Sequence, residues 1–163
     1  MNDTPLRDAT RPVKGNAILI GMPGAGKSTA GIILAKLTAR AFLDTDILIQ
    51  TRTGRSLQDI VDHDGYLALR AIEEATILDL DIANCVVATG GSAVYSAAAM
   101  QHLGRTGQIV FLHTDIDLVK QRIADVARRG IACKPGQSLE DLWSERQPLY
   151  ESCADITVDT RDH

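Results

Sequence analysis

The chain has 163 residues, of which 45% are hydrophobic, 23% charged and 4% aromatic, and its formal net charge is −4. This length fits one compact domain with its own apolar core. The acidic balance and the scarcity of aromatic residues argue against a nucleic-acid or membrane-surface binder, which needs a concentrated basic face. The three cysteines lack metal-type spacing and the polar N-terminus lacks the apolar stretch of a signal peptide, so we expect a cytoplasmic protein.

The order of apolar runs predicts strands that alternate with helices. Residues 1–14 are polar and are expected to form a flexible tail, so that a single domain spans 15–163. Short aliphatic runs predict five strands, at 16–21, 41–44, 85–88, 108–113 and 154–158. Helical spacing of apolar residues predicts helices at 27–37, 46–52, 56–63, 65–80, 96–103, 115–128 and 139–145, with an irregular loop at 129–137. This alternation is typical of a parallel sheet covered on both faces.

The segment from Gly21 to Ser28 satisfies the pattern G-x-x-x-x-G-K-[ST]. Small residues allow backbone N–H groups to wrap around phosphate oxygens, and the following helix directs its positive end at the same point. Lys27 is expected to reach the β- and γ-phosphates of ATP, and the Ser28 hydroxyl to bind Mg²⁺. The predicted nucleotide-binding residues of this loop are Gly21, Pro23, Gly24, Ala25, Gly26, Lys27, Ser28 and Thr29. Because a predicted strand precedes the loop and a helix follows it, a glycine-rich turn with an incidental lysine is the weaker interpretation.

Two carboxylates, Asp44 and Asp46, follow the second predicted strand. Carboxylates at the carboxyl end of a parallel strand lie near the phosphate loop, where ligands bind in such sheets. One of them could join the magnesium shell while the other meets an acceptor hydroxyl. The alternative is a helix N-cap, because Asp and Thr at this position stabilise the helix that follows. The spacing favours neither interpretation over the other.

Several polar residues are harder to interpret from the pattern alone. Arg70 and Glu73 are three residues apart on a predicted helix, which is compatible with an ion pair on the surface. Arg146 also lies near a predicted helix and could be a solvated residue on its exposed face. The sequence Thr-Gly-Gly at 89–91 allows a close backbone approach to a ligand, or only a tight turn.

Arg122, Arg128 and Arg129 form a basic cluster before a loop that contains glycine and proline. A mobile basic loop can close over phosphates and exclude water during a transfer reaction. Basic residues at a helix end are also stabilised by the helix dipole. Both interpretations stay open at this level.

Taken together, these motifs resemble the shikimate kinase family over residues 16–160. The resemblance is carried by the phosphate loop and by LDTDILIQTRTGRSLQDI, LRAIEE, ATGG and SERQPLYESCADITVDT. It implies an α/β fold of the P-loop NTPase and nucleoside-monophosphate-kinase type, with three α/β/α layers and a five-stranded parallel sheet. It also implies a substrate-binding region at about 45–75 and a lid at about 124–137. The implied reaction is the ATP-dependent phosphorylation of shikimate to shikimate 3-phosphate.

The resemblance also implies roles for individual residues. Substrate contacts are implied for Asp46, Arg70, Gly90, Gly91 and Arg146, with Glu73 orienting the two arginines. Magnesium binding is implied for Ser28 and Asp44. Contacts to the nucleotide outside the loop are implied for Arg122, beside the adenine, and Arg129, at the phosphates. The residues implied to act in the transfer itself are Lys27, Asp46 and Arg129.

The chain departs from the family pattern in the walls of the implied substrate site. Ser92 stands where the family has a third glycine, Leu69 where it has phenylalanine, and Val61 where an aromatic residue is common. The lid reads Arg-Gly-Ile-Ala at 129–132 instead of Arg-Pro-Leu-Leu. Two alternatives follow: a kinase of a different small hydroxy acid, and a protein that binds ATP but has lost catalysis. We expect ATP and Mg²⁺ as ligands, a monomer, and neither nucleic acid nor membrane as a partner.

Overall fold

A computed structural model of the chain describes residues 15–123 and 130–160. Its parallel strands are β1 Asn16–Ile20, β2 Ala41–Asp44, β3 Cys85–Ala88, β4 Gly107–His113 and β5 Ile156–Asp159. Its helices are α1 Lys27–Thr38, α2 Thr45–Thr53, α3 Leu57–Asp64, α4 Tyr66–Leu78, α5 Ala97–Thr106, α6 Ile116–Ile123 and α7 Leu139–Cys153. A 3-10 turn, Ala93–Tyr95, precedes α5. No helix within the described ranges is long and apolar enough to cross a membrane.

The five strands form one sheet in the order β2-β3-β1-β4-β5, and every pair is parallel. This confirms the predicted five-stranded parallel sheet and the three-layer α/β/α class. The phosphate loop leaves β1, the central strand, and its neighbours β3 and β4 end at the same edge. Residues that follow β1, β2 and β3 therefore meet at the carboxyl edge of the sheet, where ligands bind in this architecture.

All five residues of β1 are buried because helices cover both faces of the sheet. Side chains alternate along a strand, so Ile18 and Ile20 join the large core beneath the helices that follow β3, while Ala17 and Leu19 pack under α1. Edge strand β5 keeps its four residues exposed. The core is therefore densest around the strand that carries the phosphate loop.

A separate small core holds helices α2, α3 and α4 together. It consists of Ile49, Leu57, Ile60 and Leu69, joined by Ala132 from the loop that precedes α7. Helix α3 begins at a capping box in which the side chains and backbone of Ser56 and Asp59 bond reciprocally. These helices are thus attached to the sheet as a unit, and they contact the loop at 130–138.

The last helix differs from the prediction, which ended it at residue 145. Helix α7 continues to Cys153 through Pro148. Proline removes one helical hydrogen bond, but this proline lies on the exposed side, where water can serve the unpaired carbonyl group. Buried Tyr150 stacks on Phe111 of β4 at a centroid distance of 5.1 Å, and this packing favours continuation of the helix.

Candidate active site

Backbone geometry defines the phosphate loop. Gly24 and Gly26 have left-handed φ angles of 79° and 91°, which other residues adopt only with strain. A Cβ on Gly21 would lie 2.7 Å from the carbonyl oxygen of Leu112, so this position cannot take a larger residue without a shift. Helix α1 begins at Lys27, and no side chain from residues 15–123 or 130–160 caps it. Among these residues its first N–H groups therefore have no side-chain acceptor at the point where phosphate is predicted to bind.

Lys27 is buried and folds back onto the loop. Its Nζ donates to the carbonyl oxygens of Gly21 at 2.8 Å and Met22 at 2.9 Å. Burial lowers the pKa of Lys27 to about 8, although the carboxylates of Asp46 and Asp44 act in the opposite direction. The ammonium group is thus held at the loop by two neutral carbonyl acceptors, which charged phosphate oxygens could replace.

Asp44 is the N-cap of α2, as one of its two sequence-based interpretations predicted, and it also contacts Ser28. One carboxylate oxygen caps α2 by accepting from the backbone N–H groups of Asp46 at 2.9 Å and Ile47 at 3.4 Å. The other oxygen accepts from the Ser28 hydroxyl at 2.5 Å. The cap fixes the carboxylate beside the phosphate loop. Ser28 and Asp44 therefore form a pair of oxygen donors, of the kind that Mg²⁺ prefers.

Asp46 and Glu73 approach each other across Gly90. A Cβ on Gly90 would lie 2.7 Å from Asp46 Oδ1 and even closer to Glu73 Oε1, so glycine is required by close packing. The N–H of Gly90 donates to the Thr45 hydroxyl at 2.9 Å, which ties this backbone to the start of α2. Two carboxylates thereby face one narrow space beside the phosphate loop.

Glu73 is 3% exposed, which rules out the surface ion pair with Arg70 as its role. Its Oε2 accepts from the Ser92 hydroxyl, and Oε1 has no hydrogen-bond partner among the described residues. Burial, followed by the negative charge of Asp46, raises the pKa of Glu73 to about 7, although Ser92 and Arg146 oppose the shift. Ser92, the departure from the glycine of the family pattern, is therefore a direct partner of this carboxyl group.

The two candidate substrate arginines converge on one backbone oxygen. Arg146 is 1% exposed, so it is not a solvated residue on the helix face. Its Nη2 donates to the carbonyl oxygen of Ala132 at 2.8 Å, and Nη2 of Arg70 donates to the same oxygen at 3.3 Å. A Cβ on Gly91 would lie 2.8 Å from Arg146 Nη1 and 2.8 Å from Pro23 Cδ. Arg146 and Pro23 of the phosphate loop are therefore packed against the same glycine.

One cavity of about 790 Å³ joins these groups except Arg70, which lines a neighbouring pocket with Tyr95 and Ser92. Its lining includes the predicted residues Pro23, Gly24, Ala25, Gly26, Lys27, Ser28, Thr29, Asp46, Gly90, Gly91, Arg122 and Arg146. Gly21, the first residue of the loop, and Asp44 are not among the lining residues. Asp44 accepts a hydrogen bond from Ser28, which does line the cavity. The cavity is therefore continuous from the phosphate loop to the carbonyl group that binds both arginines.

Arg122 contacts the phosphate loop, and the described part of the predicted lid begins at Gly130. Arg122 Nη1 donates to the carbonyl oxygen of Gly24 at 3.0 Å, so this guanidinium lies against the phosphate loop. Arg129 lies outside the described residues. Gly130, the next position, has φ 59° and donates its N–H to the Gln58 side chain at 2.9 Å. A Cβ there would meet the backbone of Leu57 and Gln58, which explains glycine in place of the family's proline.

Three side chains of the site were not predicted. Tyr95 stacks under Arg70, with 3.5 Å between the ring centroid and the guanidinium carbon, and its hydroxyl donates to Glu145 at 2.7 Å. Tyr150 is fully buried and donates to the carbonyl oxygen of Gly91 at 2.6 Å. Tyr150 and Glu145 belong to the segment SERQPLYESCADITVDT, whose resemblance to the family could have indicated a role for them. Nothing around Tyr95 in the sequence indicated a role.

Ser28 and Asp44 are the residues whose chemistry fits a magnesium ion. Within residues 15–123 and 130–160, no group of three or more His, Cys, Asp or Glu side chains could hold a metal by itself. This arrangement agrees with the usual magnesium site of phosphotransferases, in which one or two protein oxygens are complemented by water and substrate phosphates.

Known proteins resemble the chain over nearly its whole length. The profile of the shikimate kinase family matches residues 23–163. A shikimate kinase of Pseudomonas aeruginosa (strain LESB58) is 40% identical over 148 residues, which span 89% of this chain and 86% of the relative. Among solved structures, shikimate kinase from Acinetobacter baumannii in complex with shikimate has a TM-score of 0.83 and 35% identity, over 90% of this chain and 84% of that one. The shikimate kinase from Aquifex aeolicus vf5 has a TM-score of 0.76 and 28% identity, over 90% and 87% of the two chains. The chain belongs to the shikimate kinase family.

Proposed function

We propose that this chain transfers the γ-phosphoryl group of ATP to a hydroxyl of shikimate, giving shikimate 3-phosphate, with Mg²⁺ bound at Ser28 and Asp44. The observation that carries the proposal is the order of groups along one cavity. Phosphate-binding backbone lies at one end, the Asp46 carboxylate lies between, and Arg146 lies at the other, where it shares the Ala132 carbonyl oxygen with Arg70. An acceptor with a reacting hydroxyl and a carboxylate on opposite sides matches that order. A homologous structure from Acinetobacter baumannii is described as a complex with shikimate.

At the nucleotide end, the γ-phosphoryl group needs positive charge and a fixed position more than covalent chemistry. Lys27 would exchange its two carbonyl acceptors for phosphate oxygens. Exchange of neutral for charged acceptors strengthens the hydrogen bonds of an ammonium group. Magnesium, when bound at Ser28 and Asp44, would neutralise charge on the β- and γ-phosphates. The backbone N–H groups at the start of α1 would hold the same oxygens.

At the centre of the cavity, Asp46 would accept the hydrogen bond of the acceptor hydroxyl and orient its oxygen toward the γ-phosphorus. The new P–O bond forms as the bond to the β-γ bridging oxygen breaks, ADP leaves, and the hydroxyl proton is released. Asp46 suits this task because it follows the capped start of α2, which fixes its backbone. Gly90 and Gly91 border the same space and leave it open, since neither carries a side chain.

At the far end, Arg70 and Arg146 would bind the substrate carboxylate. In the structure both donate to the carbonyl oxygen of Ala132, a neutral acceptor. Guanidinium groups bind a carboxylate with two parallel hydrogen bonds, which gives orientation as well as affinity. Glu73 lies 97% buried beside Arg146 and would balance part of the positive charge when it is ionised.

Two further arginines belong to the proposal. Arg122 would lie beside the nucleotide, since it already contacts the loop carbonyl of Gly24. Arg129, from outside the described residues, is proposed to reach the phosphates from the lid on the strength of the family resemblance alone. All of these groups belong to one chain, in keeping with the expected monomer.

A coupled ADP-release assay with Mg²⁺ and ATP tests the proposal. Shikimate should stimulate ADP release strongly over the rate without acceptor, and the phosphorylated product should be identified by mass spectrometry. A panel of small hydroxy acids serves as the control, since the altered side chains at Leu69 and Ser92 border the acceptor space. Turnover of another acid without shikimate turnover would replace the substrate. ATP binding without any acceptor turnover would leave only a nucleotide-binding protein.

A further inference from the structure

Tyr95 lies between the two helices that carry the candidate substrate arginines. It belongs to the 3-10 turn that follows β3, whose other residues, Ala93 and Val94, are buried. Arg70 is on α4 and Arg146 is on α7. The turn packs against both helices, so one aromatic side chain can contact residues that are far apart in the sequence.

Each part of the Tyr95 side chain contacts a different charged group. The guanidinium carbon of Arg70 lies 3.5 Å from the centroid of the ring, within the range of a cation–π contact. The hydroxyl oxygen accepts from Arg146 Nε at 3.3 Å. The hydroxyl hydrogen is donated to Glu145 Oε1 at 2.7 Å. One hydroxyl can do both, because it has one donor and two acceptor positions.

The Arg70 guanidinium depends on this ring, because other contacts restrain it weakly. Its Nε has no hydrogen-bond partner within the described ranges, and the hydrogen bond from its Nη2 to the carbonyl oxygen of Ala132 is 3.3 Å long. None of the ion pairs formed between described residues includes Arg70 or Arg146. The two cations repel each other where they converge on the Ala132 carbonyl. Tyr66 adds a second ring, but at 5.1 Å.

Glu145 fixes the orientation of the Tyr95 hydroxyl. Gln137 donates to the second oxygen of this carboxylate at 2.8 Å. The hydrogen bond from Tyr95, the strongest influence, lowers the pKa of Glu145, so it remains an anionic acceptor at neutral pH. With the hydroxyl hydrogen committed to Glu145, the oxygen presents its lone pairs to Arg146.

We infer that Tyr95 is a positioning residue and a determinant of carboxylate affinity: its ring holds Arg70 and its hydroxyl holds Arg146, so that both guanidiniums face the substrate carboxylate. The inference rests on the proposed function for the identity of the carboxylate, but the positioning of Arg70 is a property of the unliganded protein. Tyr95 acts through the arginines and touches no reacting atom.

Kinetics of Tyr95→Leu, Tyr95→Phe and the comparison variant Tyr66→Leu give the first test. Tyr95→Leu should raise KM for shikimate about tenfold, with kcat and KM for ATP within about twofold of the original values. Tyr95→Phe keeps the ring and should raise KM only about twofold, as should loss of the more distant ring in Tyr66→Leu. In an Arg70→Ala background, Tyr95→Leu should add no more than about a threefold increase, because its main partner is gone.

Chemical labelling gives a second test that needs no turnover. Phenylglyoxal reacts with accessible guanidinium groups, and peptide mass spectrometry of the unliganded protein reports the rate at Arg70. That rate should be at least about fivefold higher in Tyr95→Leu than in the unsubstituted protein or in Tyr95→Phe, provided that their melting temperatures agree. An unchanged rate at Arg70 overturns the inference, whatever the kinetics show. If shikimate is not a substrate, the proposed function fails while the labelling still decides the role of Tyr95.

Discussion

The nucleotide end of the cavity is built from one continuous segment, 21–29, whereas the acceptor end is assembled from α2, α4, α7 and the residues after β3. In the first region the site is formed mainly by backbone groups, because glycines adopt left-handed φ angles and helix α1 begins there. In the second region side chains from distant parts of the chain face one another, and neighbouring charges change their properties. Substitutions at the nucleotide end should therefore impair transfer itself. Those at the acceptor end should divide between binding, positioning and stability.

The largest effect is expected for Lys27→Met at the nucleotide end. Loss of the ammonium group should lower kcat by about 10²–10³-fold, because preorganised charge at the transferring phosphoryl group is worth roughly 3–4 kcal/mol. Steady-state kinetics with saturating ATP and shikimate measures this loss. Lys36→Met, an exposed lysine on the same helix, is the matched control and should keep full activity. A loss smaller than about tenfold would show that Lys27 does not carry the charge stabilisation.

Asp46→Asn is expected to have the next largest effect, at the junction of the two regions. It should lower kcat about 100-fold, since the amide is a poorer acceptor for the substrate hydroxyl, while KM for ATP stays within about twofold. The exposed Asp62 on α3 provides the control substitution Asp62→Asn. Unchanged turnover in Asp46→Asn would remove this residue from the mechanism.

Glu73→Gln should change how stability depends on pH. The pKa of Glu73 is about 7 in the folded protein against an ordinary value of 4.5. Between these pH values the unfolded chain loses its proton while the folded protein keeps it, so the free energy of unfolding falls as pH rises; above about pH 7 the contribution is constant. The difference corresponds to about 3 kcal/mol. The groups that face Glu73 are Asp46, Arg146, Lys27 and Ser92, of which Asp46 raises the pKa and the others lower it.

Glutamine cannot ionise, so the stability of Glu73→Gln relative to the original protein should increase by about 2–3 kcal/mol between pH 5 and pH 8. Urea unfolding at the two pH values measures this change. Glu74→Gln, a neighbouring exposed residue, is the control and should show no such trend. A pH-independent difference for Glu73→Gln would mean that Glu73 ionises normally in the fold.

The smallest effect is expected for Arg70→Ala at the acceptor end. It should raise KM for shikimate about tenfold with kcat nearly unchanged, because one of two guanidiniums that bind the carboxylate is lost. Shikimate methyl ester, which has no carboxylate charge, sharpens the test: its KM should respond to Arg70→Ala by no more than about twofold. Arg52→Ala, which breaks an exposed pair with Asp79, is the control. An equal response of acid and ester would separate Arg70 from carboxylate binding.

The two regions also differ in how far the sequence predicted them. The phosphate loop, the five strands and their parallel orientation were predicted from the sequence, and the structure confirms the fold class. Membership of the shikimate kinase family is confirmed as well. Helix α7 was predicted too short, because the packing of Tyr150 on Phe111 favours a helix that continues through Pro148. The 3-10 turn at 93–95 was not predicted, since single turns have no periodicity to detect.

Two residues show which properties could not be predicted from the local sequence. Asp44 is both an N-cap and a partner of Ser28, so the two interpretations were compatible and only the fold could show it. Glu73 was compatible with a surface pair until burial excluded it. The roles of Asp46, Arg129 and the other site residues, and the substrate and lid regions, stay predictions for the experiments above.

The sequence by itself predicted the backbone structure of the nucleotide end, because a glycine-rich loop between a strand and a helix is formed by residues that lie next to one another in the chain. Only the tertiary structure decided the acceptor end. Burial sets the pKa of Glu73, a close approach requires glycine at 90 and 91, and a turn between two helices brings Tyr95 to both arginines. These properties depend on distances between residues far apart in the chain, which no local pattern encodes.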